Sequence, residues 1–513
     1  MMVQRGDLMN HVLLMLDKTV QQYPDKIAVI EENQSCTYKQ LQKNSKAVAS
    51  YLLQNSIRHR PVIVFMDKGI LALYAFFGSV YSQNFYSLLN PEFPDSRLEQ
   101  IQSVLQGHVV LTTKQYEEKA KQIFKETSVI VVESILSTTI QDELVNEAIQ
   151  KTIDTDPLYV NFTSGSTGVP KGVLISHGSV IDFIETFVKT FSINKDERFG
   201  NQAPFDFDVS VKDIYSCLYI GATLVIVPRS YFSKPTALID YLCEKQVTTL
   251  VWAVSALSLI CTFHGLDYKV PKTVQKVLFS GEVMPYKHYQ SWKKALPDAL
   301  FVNLYGPTEI TCNCTYHVLD PDRDYTEGIP IGTAFVNKGV FLLDAHDQKI
   351  IEPNKIGELC VKGKGLALGY YRNEMQTKAH FTQNPLQEAY FERIYRTGDL
   401  AYQNEKGEFV FKGRKDYQIK YLGHRIELEE IEKRALAIEG IEQCICLFDD
   451  VKHRLYGFYI GALSKEQFVT CLKKDLPAYM IPTRLFLMES MPLTKNGKTD
   501  RKALFELTKG KRK

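Results

Sequence analysis

A glycine-rich segment with one lysine, residues 161–172 (NFTSGSTGVPKG), is the part of the chain most suited to chemistry. It follows an apolar run at 158–162, contains three glycines and offers two pairs of hydroxyl side chains. Glycines let the backbone approach a ligand closely, and a series of N–H and O–H donors suits phosphate oxygens. The composition alone would also suit a flexible surface loop, and Lys171 within the run favours phosphate binding.

This segment differs from the P-loop of nucleoside triphosphatases. In a P-loop the lysine and a Ser or Thr directly follow the second glycine and open a helix. Here Pro170 precedes Lys171 and Gly172 follows it, so no helix begins at the lysine. The segment therefore indicates phosphate handling of a different type.

The segment resembles the phosphate-binding signature of the adenylate-forming superfamily, which comprises acyl-CoA synthetases, luciferases and amino-acid adenylation domains. One departure from the family pattern is Asn90, which stands where an aspartate is usual. Several motifs in the correct order are far more specific than one, and they cover nearly the whole chain. The further matching segments are TYKQL (37–41), LNPEFPDSR (89–97), YGPTE (305–309), 357–370, YRTGD (395–399), 413–427 and NGKTDR (496–501).

The resemblance implies that ATP is a substrate, and the adenosine contacts make physical sense. Tyr305 offers adenine a flat apolar face, and Asn303 is available to its exocyclic amine. Asp399 is the family-matched carboxylate that can accept both ribose hydroxyls. Arg414 is placed to contact the same sugar or the phosphates.

The phosphates and Mg²⁺ are assigned in the same way. Thr308 can bind the α-phosphate, and Glu309 resembles the carboxylate that holds Mg²⁺. That ion usually keeps several waters and bridges substrate phosphates, so one carboxylate suffices. The ATP-binding residues implied by the resemblance are Thr163, Ser164, Gly165, Ser166, Thr167, Gly168, Lys171, Asn303, Tyr305, Gly306, Pro307, Thr308, Asp399, Arg414 and Lys498.

Lys498, in the segment NGKTDR, is the predicted catalytic residue of the first half-reaction. A carboxylate must attack the α-phosphorus of ATP, and the transition state concentrates negative charge there. A cation at ~4 Å supplies about 4 kcal/mol at an effective dielectric constant near ~20. By composition alone, Lys498 would instead belong to a basic turn with Lys495, Arg501 and Lys502.

Asp208 is the residue that predicts the substrate class. The segment 207–210 (FDVS) matches a motif whose aspartate pairs with the α-ammonium group in amino-acid-adenylating members, and fatty acyl-CoA synthetases lack it. A carboxylate in a partly dry pocket would otherwise be a costly unpaired charge. When it is paired with an ammonium group, it rejects acids that lack the amine. Asp206 and Asp213 lie nearby, but register with the motif selects Asp208.

The resemblance also implies a side-chain pocket for a small amino acid. Several of its residues resemble pockets that activate serine and, less fully, cysteine, whereas the segments 280–285 and 411–432 resemble D-alanine:carrier-protein ligases. Lys212 departs from both patterns: an acidic substrate is an alternative if this lysine faces the pocket, and it could equally extend to solvent. The pocket residues are Asp208, Val209, Lys212, Ser255, Leu278, Ser280, Gly281, Leu304, Cys312 and Asn313.

The second substrate is predicted to be a phosphopantetheinylated carrier protein. The sequence ends thirteen residues after Asp500 without the Gly-Gly-x-Ser segment of a fused carrier domain, so we expect a free-standing ligase that loads a separate carrier. CoA or a released aminoacyl-adenylate are alternative outcomes. An acyl- or aryl-CoA ligase is disfavoured by Asp208. A non-catalytic binding relative is disfavoured by Lys498, Glu309 and Asp399.

The elements that must position these residues alternate between strand and helix. Apolar runs followed by helical stretches predict mostly parallel sheets covered by helices. The predicted strands lie at 26–30, 61–66, 222–227, 248–254 and 274–278, and the predicted helices at 38–53 and 70–80.

The predicted fold class is α/β with two domains. The large N-terminal domain, 1–415, is expected to contain two βα sheets and a barrel-like part at about 332–412, where strands shorten and glycines cluster. The small mobile α+β C-terminal domain, 416–513, is expected to begin at Asp416, which matches the family's hinge. Within it, 425–437 reads as a helix, and its acidic run ELEEIE reads as a solvated helix face.

Composition narrows the class of protein. The length of 513 residues suggests two or three domains, and the net charge of +2 gives no global attraction to nucleic acid or acidic membranes. No apolar run approaches the ~20 residues that cross a bilayer, and no signal-peptide cleavage site follows the start, so we expect a cytoplasmic protein without membrane insertion. The Cys-x-Cys pairs Cys312/Cys314 and Cys444/Cys446 are expected to be buried thiols, because neither has the second pair that a zinc site needs.

Overall fold

The computed structural model describes residues 10–165, 168–450, 452–493 and 499–509. Strand and helix alternate along most of this length, as the hydrophobic pattern predicts. The strands are β1 (Ile27–Glu31), β2 (Gln34–Thr37), β3 (Pro61–Phe65), β4 (Phe85–Leu89), β5 (Val109–Thr112), β6 (Ser128–Val131), β7 (Pro157–Thr163), β8 (Lys171–Ser176), β9 (Arg198–Asn201), β10 (Thr223–Ile226), β11 (Thr249–Ala253), β12 (Lys276–Ser280), β13 (Leu300–Tyr305), β14 (Thr315–Val318), β15 (Thr333–Ala334), β16 (Gly339–Leu343), β17 (Lys349–Ile350), β18 (Gly357–Lys362), β19 (Gly369–Tyr370), β20 (Phe381–Gln383), β21 (Arg393–Gln403), β22 (Phe409–Arg414), β23 (Gln418–Tyr421), β24 (His424–Glu427), β25 (Ile441–Asp449), β26 (Arg454–Gly461) and β27 (Arg484–Leu487).

The helices are mostly short and amphipathic, and α3 is buried on nearly all sides, as expected for a helix that is apolar all round. None of the described helices is long and apolar enough to span a membrane. Short 3₁₀ turns occur at Lys114–Tyr116, Arg229–Ser233, Thr308–Ile310 and Ala478–Met480. The α-helices are α1 (Leu13–Gln22), α2 (Tyr38–Gln54), α3 (Ile70–Tyr81), α4 (Asp95–Leu105), α5 (Glu117–Ile123), α6 (Val132–Ile135), α7 (Asp142–Lys151), α8 (His177–Thr190), α9 (Val209–Ile220), α10 (Pro235–Glu244), α11 (Val254–Thr262), α12 (Gly265–Tyr268), α13 (Tyr286–Ala295), α14 (Glu374–His380), α15 (Leu428–Leu436), α16 (Lys465–Asp475) and α17 (Arg501–Lys509).

Two large sheets carry most of the chain. The nine-stranded sheet has the order β15-β14-β13-β12-β11-β9-β10-β1-β2, and its strands β1 and β9 to β13 are parallel. The seven-stranded sheet has the order β19-β8-β7-β4-β3-β5-β6, with β3 to β7 parallel. The predicted α/β class with two βα sheets is confirmed.

The part predicted to be barrel-like is an antiparallel sheet of six strands. Its order is β17-β16-β18-β21-β20, and β22 pairs with the later half of β21. Asp399 lies within the long strand β21, and Arg414 is the last residue of β22. Paired in register, these two strands bring the two side chains together.

The chain divides into two compact units. The larger comprises Met1–Pro91, Val104–Asn161 and Gly172–Lys415, and the smaller comprises Glu92–Ser103, Phe162–Lys171 and Asp416–Lys513. The smaller unit has its own apolar core between α15, α16 and the three-stranded sheet β25-β26-β27. A smaller α+β C-terminal domain is thus confirmed, whereas the boundaries 1–415 and 416–513 and the mobility of this domain stay predictions.

The boundaries of two elements differ from the sequence-based expectation by two residues or more, while the other predicted elements agree to within one residue. The helix predicted at 425–437 begins at Leu428, because His424–Glu427 pairs with β23 as the second strand of a hairpin. The strand predicted at 274–278 begins at Lys276, because Val274 closes a turn with the carbonyl of Pro271.

Candidate active site

Most of the predicted substrate-binding residues lie where parallel strands of the nine-stranded sheet end. Open α/β sheets bind ligands at the carboxyl ends of their strands. The register places Ser280 at the end of β12 beside Leu304 near the end of β13, and beside Ala253 at the end of β11. Ser280 and Leu304 lie at these strand ends, and Ser255 and Gly281 lie just beyond them. Asp208 and Val209 follow the end of β9 by seven and eight residues.

Lys212 faces this pocket and does not extend to solvent. Its side chain is buried, and its Nζ donates to Asn313 Oδ1 at 3.0 Å and to Ser280 Oγ at 3.4 Å. Burial lowers the pKa of Lys212, against the opposing attraction of Cys312, Asp208 and Asp213. Of the two alternatives left open by the sequence, extension to solvent is excluded, and the role of Lys212 in binding a substrate stays a prediction.

Asp208 is the residue directly before α9. Its side chain makes no capping hydrogen bond to that helix. The Cys312 thiol donates to the Asp208 carbonyl oxygen at 3.2 Å, which joins the segment after β13 to the start of α9. Leu278 is fully buried two residues before Ser280, so both side chains lie on the same side of β12. These contacts gather the predicted pocket residues into one region.

A tight loop brings Cys312 and Asn313 to the pocket. Thr311 and Cys312 have φ values of 59° and 68°, a left-handed conformation that is uncommon for side chains of this kind. A Cβ at Gly306 would lie 2.6 Å from the Cys312 carbonyl oxygen, so only glycine lets the end of β13 approach this loop. Backbone of this type persists where surrounding packing fixes it and is concentrated at functional sites.

Lys68 and the buried Asp213 of α9 are charged residues that are connected through Asn201. Lys68 donates to the side chain and carbonyl of Asn201 and to the carbonyl of Gln202, while Asn201 Nδ2 donates to Asp213 Oδ2 at 2.8 Å. Burial lowers the pKa of Lys68 to about 7 and raises that of Asp213 to about 7. Asp213 is therefore held by its own internal partner, consistent with setting it aside as the substrate-binding aspartate.

The predicted ribose-binding carboxylate is held from both sides. Asp399 Oδ1 accepts a hydrogen bond from Arg414 at 2.6 Å, and Oδ2 accepts one from the Tyr305 hydroxyl. Burial and the neighbouring Asp399 raise the pKa of Tyr305 well above its usual range. Each carboxylate oxygen retains a second lone-pair site, so this arrangement orients Asp399 and leaves it able to accept further hydroxyls.

Along the chain, Asn303 lies two residues before Tyr305 and Thr308 lies three residues after it. Asn303 Nδ2 donates to the Pro330 carbonyl at 2.8 Å, which fixes the amide and leaves Oδ1 as the acceptor that an exocyclic amine needs. Gly306 and Pro307 lead into the 3₁₀ turn Thr308–Ile310. The predicted adenosine-binding residues thus follow one another at the end of β13.

Glu309, the predicted Mg²⁺ ligand, is fully buried and accepts a hydrogen bond from the Tyr370 hydroxyl at 2.7 Å. Tyr370 also lies 3.5 Å from the Tyr395 hydroxyl. Tyr370 has no predicted role, although its place at the end of the matched motif 357–370 is a signal that could have pointed to it. A single oriented carboxylate fits an ion that takes its other ligands from phosphates and water.

The glycine-rich loop belongs to the smaller unit, and its donors are engaged there. Ser164 Oγ donates to the Arg425 carbonyl at 2.8 Å, and the Gly165 N–H donates to Glu430 Oε2 at 3.2 Å. A Cβ at Gly165 would lie 2.0 Å from the Val169 carbonyl oxygen, so the turn requires glycine. Lys171 Nζ lies 3.7 Å from Glu427 Oε1. Oxygen atoms of residues 425–430 thus occupy donors that are predicted to bind phosphate.

The remaining loop residues are only partly described. Thr163 ends β7, and its buried hydroxyl has no hydrogen-bond partner among the described residues. The carbonyl of Gly168 accepts a hydrogen bond from Arg434 at 2.8 Å. Ser166, Thr167 and the predicted catalytic residue Lys498 lie outside the described residues.

The prediction of a solvated acidic helix face at 427–432 was wrong. Glu427 and Glu430 are buried, with exposed fractions of 6% and 1%. Glu430 pairs with the buried Arg97 at 2.8 Å, and burial raises the pKa of Glu427. The acidic composition suggested a solvated face because the basic partner, Arg97, is more than 300 residues away in sequence.

Asp416, the predicted hinge, is the first residue of the last segment of the smaller unit. Its carboxylate Oδ1 accepts the N–H of Gln418 at 3.2 Å, a local turn that leads into β23. The four thiols of the Cys-x-Cys pairs, Cys312, Cys314, Cys444 and Cys446, are buried, as expected from the sequence.

Comparison with known proteins identifies the family. The AMP-binding enzyme family matches residues 16–371. The chain is 33% identical over 504 residues to zwittermicin A synthase ZmaJ of Bacillus cereus, covering 96% of this chain and 94% of that protein. It is 30% identical over 513 residues to the D-alanine–D-alanyl carrier protein ligase of Staphylococcus haemolyticus, covering 97% and 99% of the two chains.

Among solved structures, the Vibrio cholerae adenylation domain AlmE in complex with glycyl-adenosine-5'-phosphate shares the fold. The TM-score is 0.85 with 21% identity, and the match covers 100% of both chains. The family match over residues 16–371 and the two full-length relatives lead to one conclusion: this chain belongs to the AMP-binding enzyme family of adenylate-forming ligases.

Proposed function

We propose that this enzyme activates a small amino acid, such as serine or D-alanine, as an aminoacyl-adenylate and then transfers it to the phosphopantetheine thiol of a separate carrier protein. The observation that carries the proposal is the position of Asp208, directly before α9 and four residues before Lys212, whose ammonium group contacts Ser280 at the end of β12. A carboxylate at the family's ammonium-binding position favours amino acids over other acids. The similarity to a D-alanyl carrier protein ligase along the whole chain supports a carrier thiol as acceptor.

In the first half-reaction, the α-carboxylate of the amino acid attacks the α-phosphorus of ATP, and pyrophosphate leaves with the bonding electrons. Asp208 holds the ammonium group, and the Tyr305, Asp399 and Arg414 group holds the adenosine. Lys498 stabilises the negative charge that develops on the α-phosphate. Positioning and charge stabilisation therefore supply most of the catalysis.

Glu309 is the residue that would hold Mg²⁺, and the Tyr370 hydroxyl orients it. When bound, the ion neutralises charge on the ATP phosphates. The glycine-rich loop supplies donors to these phosphates when Ser164, Gly165 and Lys171 exchange their contacts with residues 425–430 for phosphate oxygens. In the second half-reaction, the carrier thiolate attacks the carbonyl carbon of the aminoacyl-adenylate, a thioester forms and AMP leaves.

Amino-acid-dependent ATP–pyrophosphate exchange tests the first half. The panel contains the twenty standard amino acids, D-alanine and D-serine, with fatty and aryl acids as a separate arm. Asp208→Asn is expected to lower kcat/KM for the preferred amino acid by about 100-fold or more, since a partner of a buried charge pair is lost. The matched control is Asp206→Asn, an equal change two residues away that should leave the ranking of substrates intact.

Exchange with fatty or aryl acids alone would reject amino-acid activation in favour of an acyl- or aryl-CoA ligase. Exchange with no acid at all would favour a non-catalytic binding protein. If Asp206→Asn were the more damaging variant, Asp208 would not be the ammonium-binding residue.

Thioester formation on a phosphopantetheinylated D-alanyl-type carrier protein, followed by intact-protein mass spectrometry, tests the second half. CoA and free pantetheine are the competing acceptors. Asp416→Pro is expected to retain pyrophosphate exchange while thioester formation falls, since a hinge must absorb backbone rotation between the two steps. Equal loss of both steps would contradict a hinge at Asp416.

A further inference from the structure

The spacing of Lys212 and Asp208 would let the two residues bind different parts of one substrate. Lys212 lies four residues after Asp208, at the start of α9, so the two residues lie on one side of the helix, about 5–6 Å apart along it. Long side chains in helices lean toward the helix N-terminus, which here is the pocket end. A molecule whose ammonium group meets Asp208 therefore brings its side chain toward Lys212.

The ammonium group of Lys212 is buried and forms no ion pair among the described residues, while Asp208 and Asp213 attract it from beyond ion-pair distance. Its exposed fraction is 1%, and its hydrogen bonds go to two neutral groups, Asn313 Oδ1 and the Ser280 hydroxyl. Across the described part of the chain, no carboxylate lies within the 4 Å that defines an ion pair with it. An ammonium group has three donor hydrogens, so one of them remains for a ligand.

Asn313 adds further donor capacity at the same place. Because lysine can only donate, the amide oxygen of Asn313 must face Lys212, and its NH₂ group must point elsewhere. Among the described residues, this NH₂ group makes no hydrogen bond within the protein. The end of the pocket formed by Lys212 and Asn313 therefore presents donors and a positive charge.

A carboxylate is the ligand that matches this group of donors. It accepts several hydrogen bonds and supplies the negative charge that a buried ammonium group requires. The hydroxyl of a serine substrate could accept one bond but would leave the charge uncompensated, and an alanine methyl group would do neither. Burial lowers the pKa of Lys212 in the absence of such a partner, which agrees with a charge that awaits its counter-ion.

We propose that the substrate is an amino acid with a short acidic side chain, whose carboxylate binds Lys212 and Asn313 while its ammonium group binds Asp208. This inference rests on the proposed function, since it assumes that an amino acid is activated here. It narrows the small substrates considered above to aspartate-like and glutamate-like compounds of either chirality. The reaction itself is unchanged: the α-carboxylate attacks ATP, and the side-chain carboxylate serves only recognition.

Pyrophosphate exchange with matched pairs of acids and amides tests the proposal. The probes are L- and D-aspartate against asparagine, L- and D-glutamate against glutamine, and serine and D-alanine as neutral small substrates. The preferred acid is expected to exceed its amide by at least about 100-fold in kcat/KM, because the amide supplies no charge. Lys212→Met should remove about 100-fold of activity toward the acid and a smaller share of activity toward the amide, so that the ratio of acid to amide activity falls.

Two further variants separate recognition from folding. Asn313→Asp should pair with Lys212 internally, so that the acid is excluded and neutral amino acids gain. Lys276→Met is the matched control, since it removes a lysine of β12 that pairs with Glu197 at the opposite end of the strand. It should leave the ranking of substrates unchanged.

The outcomes distinguish the proposal of an acidic substrate from the broader proposal that the enzyme activates an amino acid. Asp208-dependent exchange with serine or D-alanine and none with acids would overturn the acidic substrate and leave amino-acid activation intact. Exchange with no amino acid would overturn both. An acid preference that survives in both Lys212→Met and Asn313→Asp would also overturn the role of Lys212. The panel on the unaltered protein decides the substrate class even if a variant does not fold.

Discussion

Two buried cations, Arg97 in the smaller unit and Lys212 in the larger unit, are compensated in opposite ways. Arg97 donates to Glu430 at 2.8 Å, and the exposed fractions of the two side chains are 4% and 1%. Lys212 is equally buried, but its partners Asn313 and Ser280 are neutral. Burial by itself lowers the pKa of each group. At Arg97 the attraction of Tyr479 and Glu430 exceeds the effect of burial, so the pKa is raised, whereas the pKa of Lys212 stays lowered.

The difference separates a structural charge from a binding charge. Taking an ion out of water costs several kcal/mol, and a protein recovers that cost only through a well-placed partner. At Arg97 the partner is part of the chain, and Glu430 also accepts the Gly165 N–H, so this carboxylate organises the glycine-rich loop as well. At Lys212 the described chain supplies no such partner, and the cost is offset when a ligand brings one.

The largest expected effect comes from breaking the internal pair. Glu430→Gln leaves Arg97 buried without a counter-charge, so we expect the smaller unit to lose about 3–5 kcal/mol of unfolding free energy. Urea denaturation, combined with hydrogen exchange of the α15 amides, measures the loss. Glu429→Gln is the matched control, since Glu429 is the exposed neighbour on the same helix and should change stability by less than about 0.5 kcal/mol. Equal effects of the two variants would show that the Arg97–Glu430 pair contributes nothing special.

Removing the Lys212 ammonium group should raise the free energy of unfolding, whereas breaking the Arg97–Glu430 pair should lower it. Without substrate, Lys212→Met deletes an uncompensated buried charge but leaves Asn313 Oδ1 and Ser280 Oγ without their donor, so a net gain of about 1–2 kcal/mol is expected. Thermal unfolding of the protein without ligands measures it. Lys276→Met, which breaks the pair with Glu197, should instead lower stability. A loss of stability in Lys212→Met would mean that the ammonium group is well satisfied inside the empty pocket.

The sequence predicted more of the region around Asp208 and Lys212 than of the region around Arg97 and Glu430. Local patterns were sufficient for the helices α2 and α3 and for the strands that end at the pocket, because hydrophobic periodicity is a short-range signal. The motif around Asp208 also located the residues of the substrate pocket, which the sheet then gathers at one edge. Their assigned roles remain predictions.

What the sequence could not supply was the pairing between distant segments. Arg97 ends the matched motif 89–97, whereas Glu430 lies three residues beyond the motif 413–427. No local rule connects the two, so the acidic composition of ELEEIE predicts a solvated face that the structure contradicts. The orientation of Lys212 was left open for the same reason, since Asn313 and Ser280 are 101 and 68 residues away in sequence. Tyr370 was not assigned because its role depends on a contact with Glu309 across 61 residues.

The smallest and most specific effect concerns pH. Burial holds the pKa of Lys212 below its ordinary value of 10.5, while Asp208, Asp213 and Cys312 oppose that shift. As pH rises toward 10.5, the folded protein releases this proton before the unfolded chain does. The unfolded state therefore binds more protons in this window, and the stability of the unaltered protein rises relative to Lys212→Met.

The advantage of Lys212→Met should consequently be largest at neutral pH and shrink as pH approaches 10.5, with a slope of at most about 1.4 kcal/mol per pH unit. Urea denaturation of both proteins at pH 7, 8, 9 and 10 measures the difference, in which all other titrating groups largely cancel. A constant advantage for Lys212→Met would mean that Lys212 keeps an ordinary pKa, and a charge that is already compensated would not select an acidic substrate.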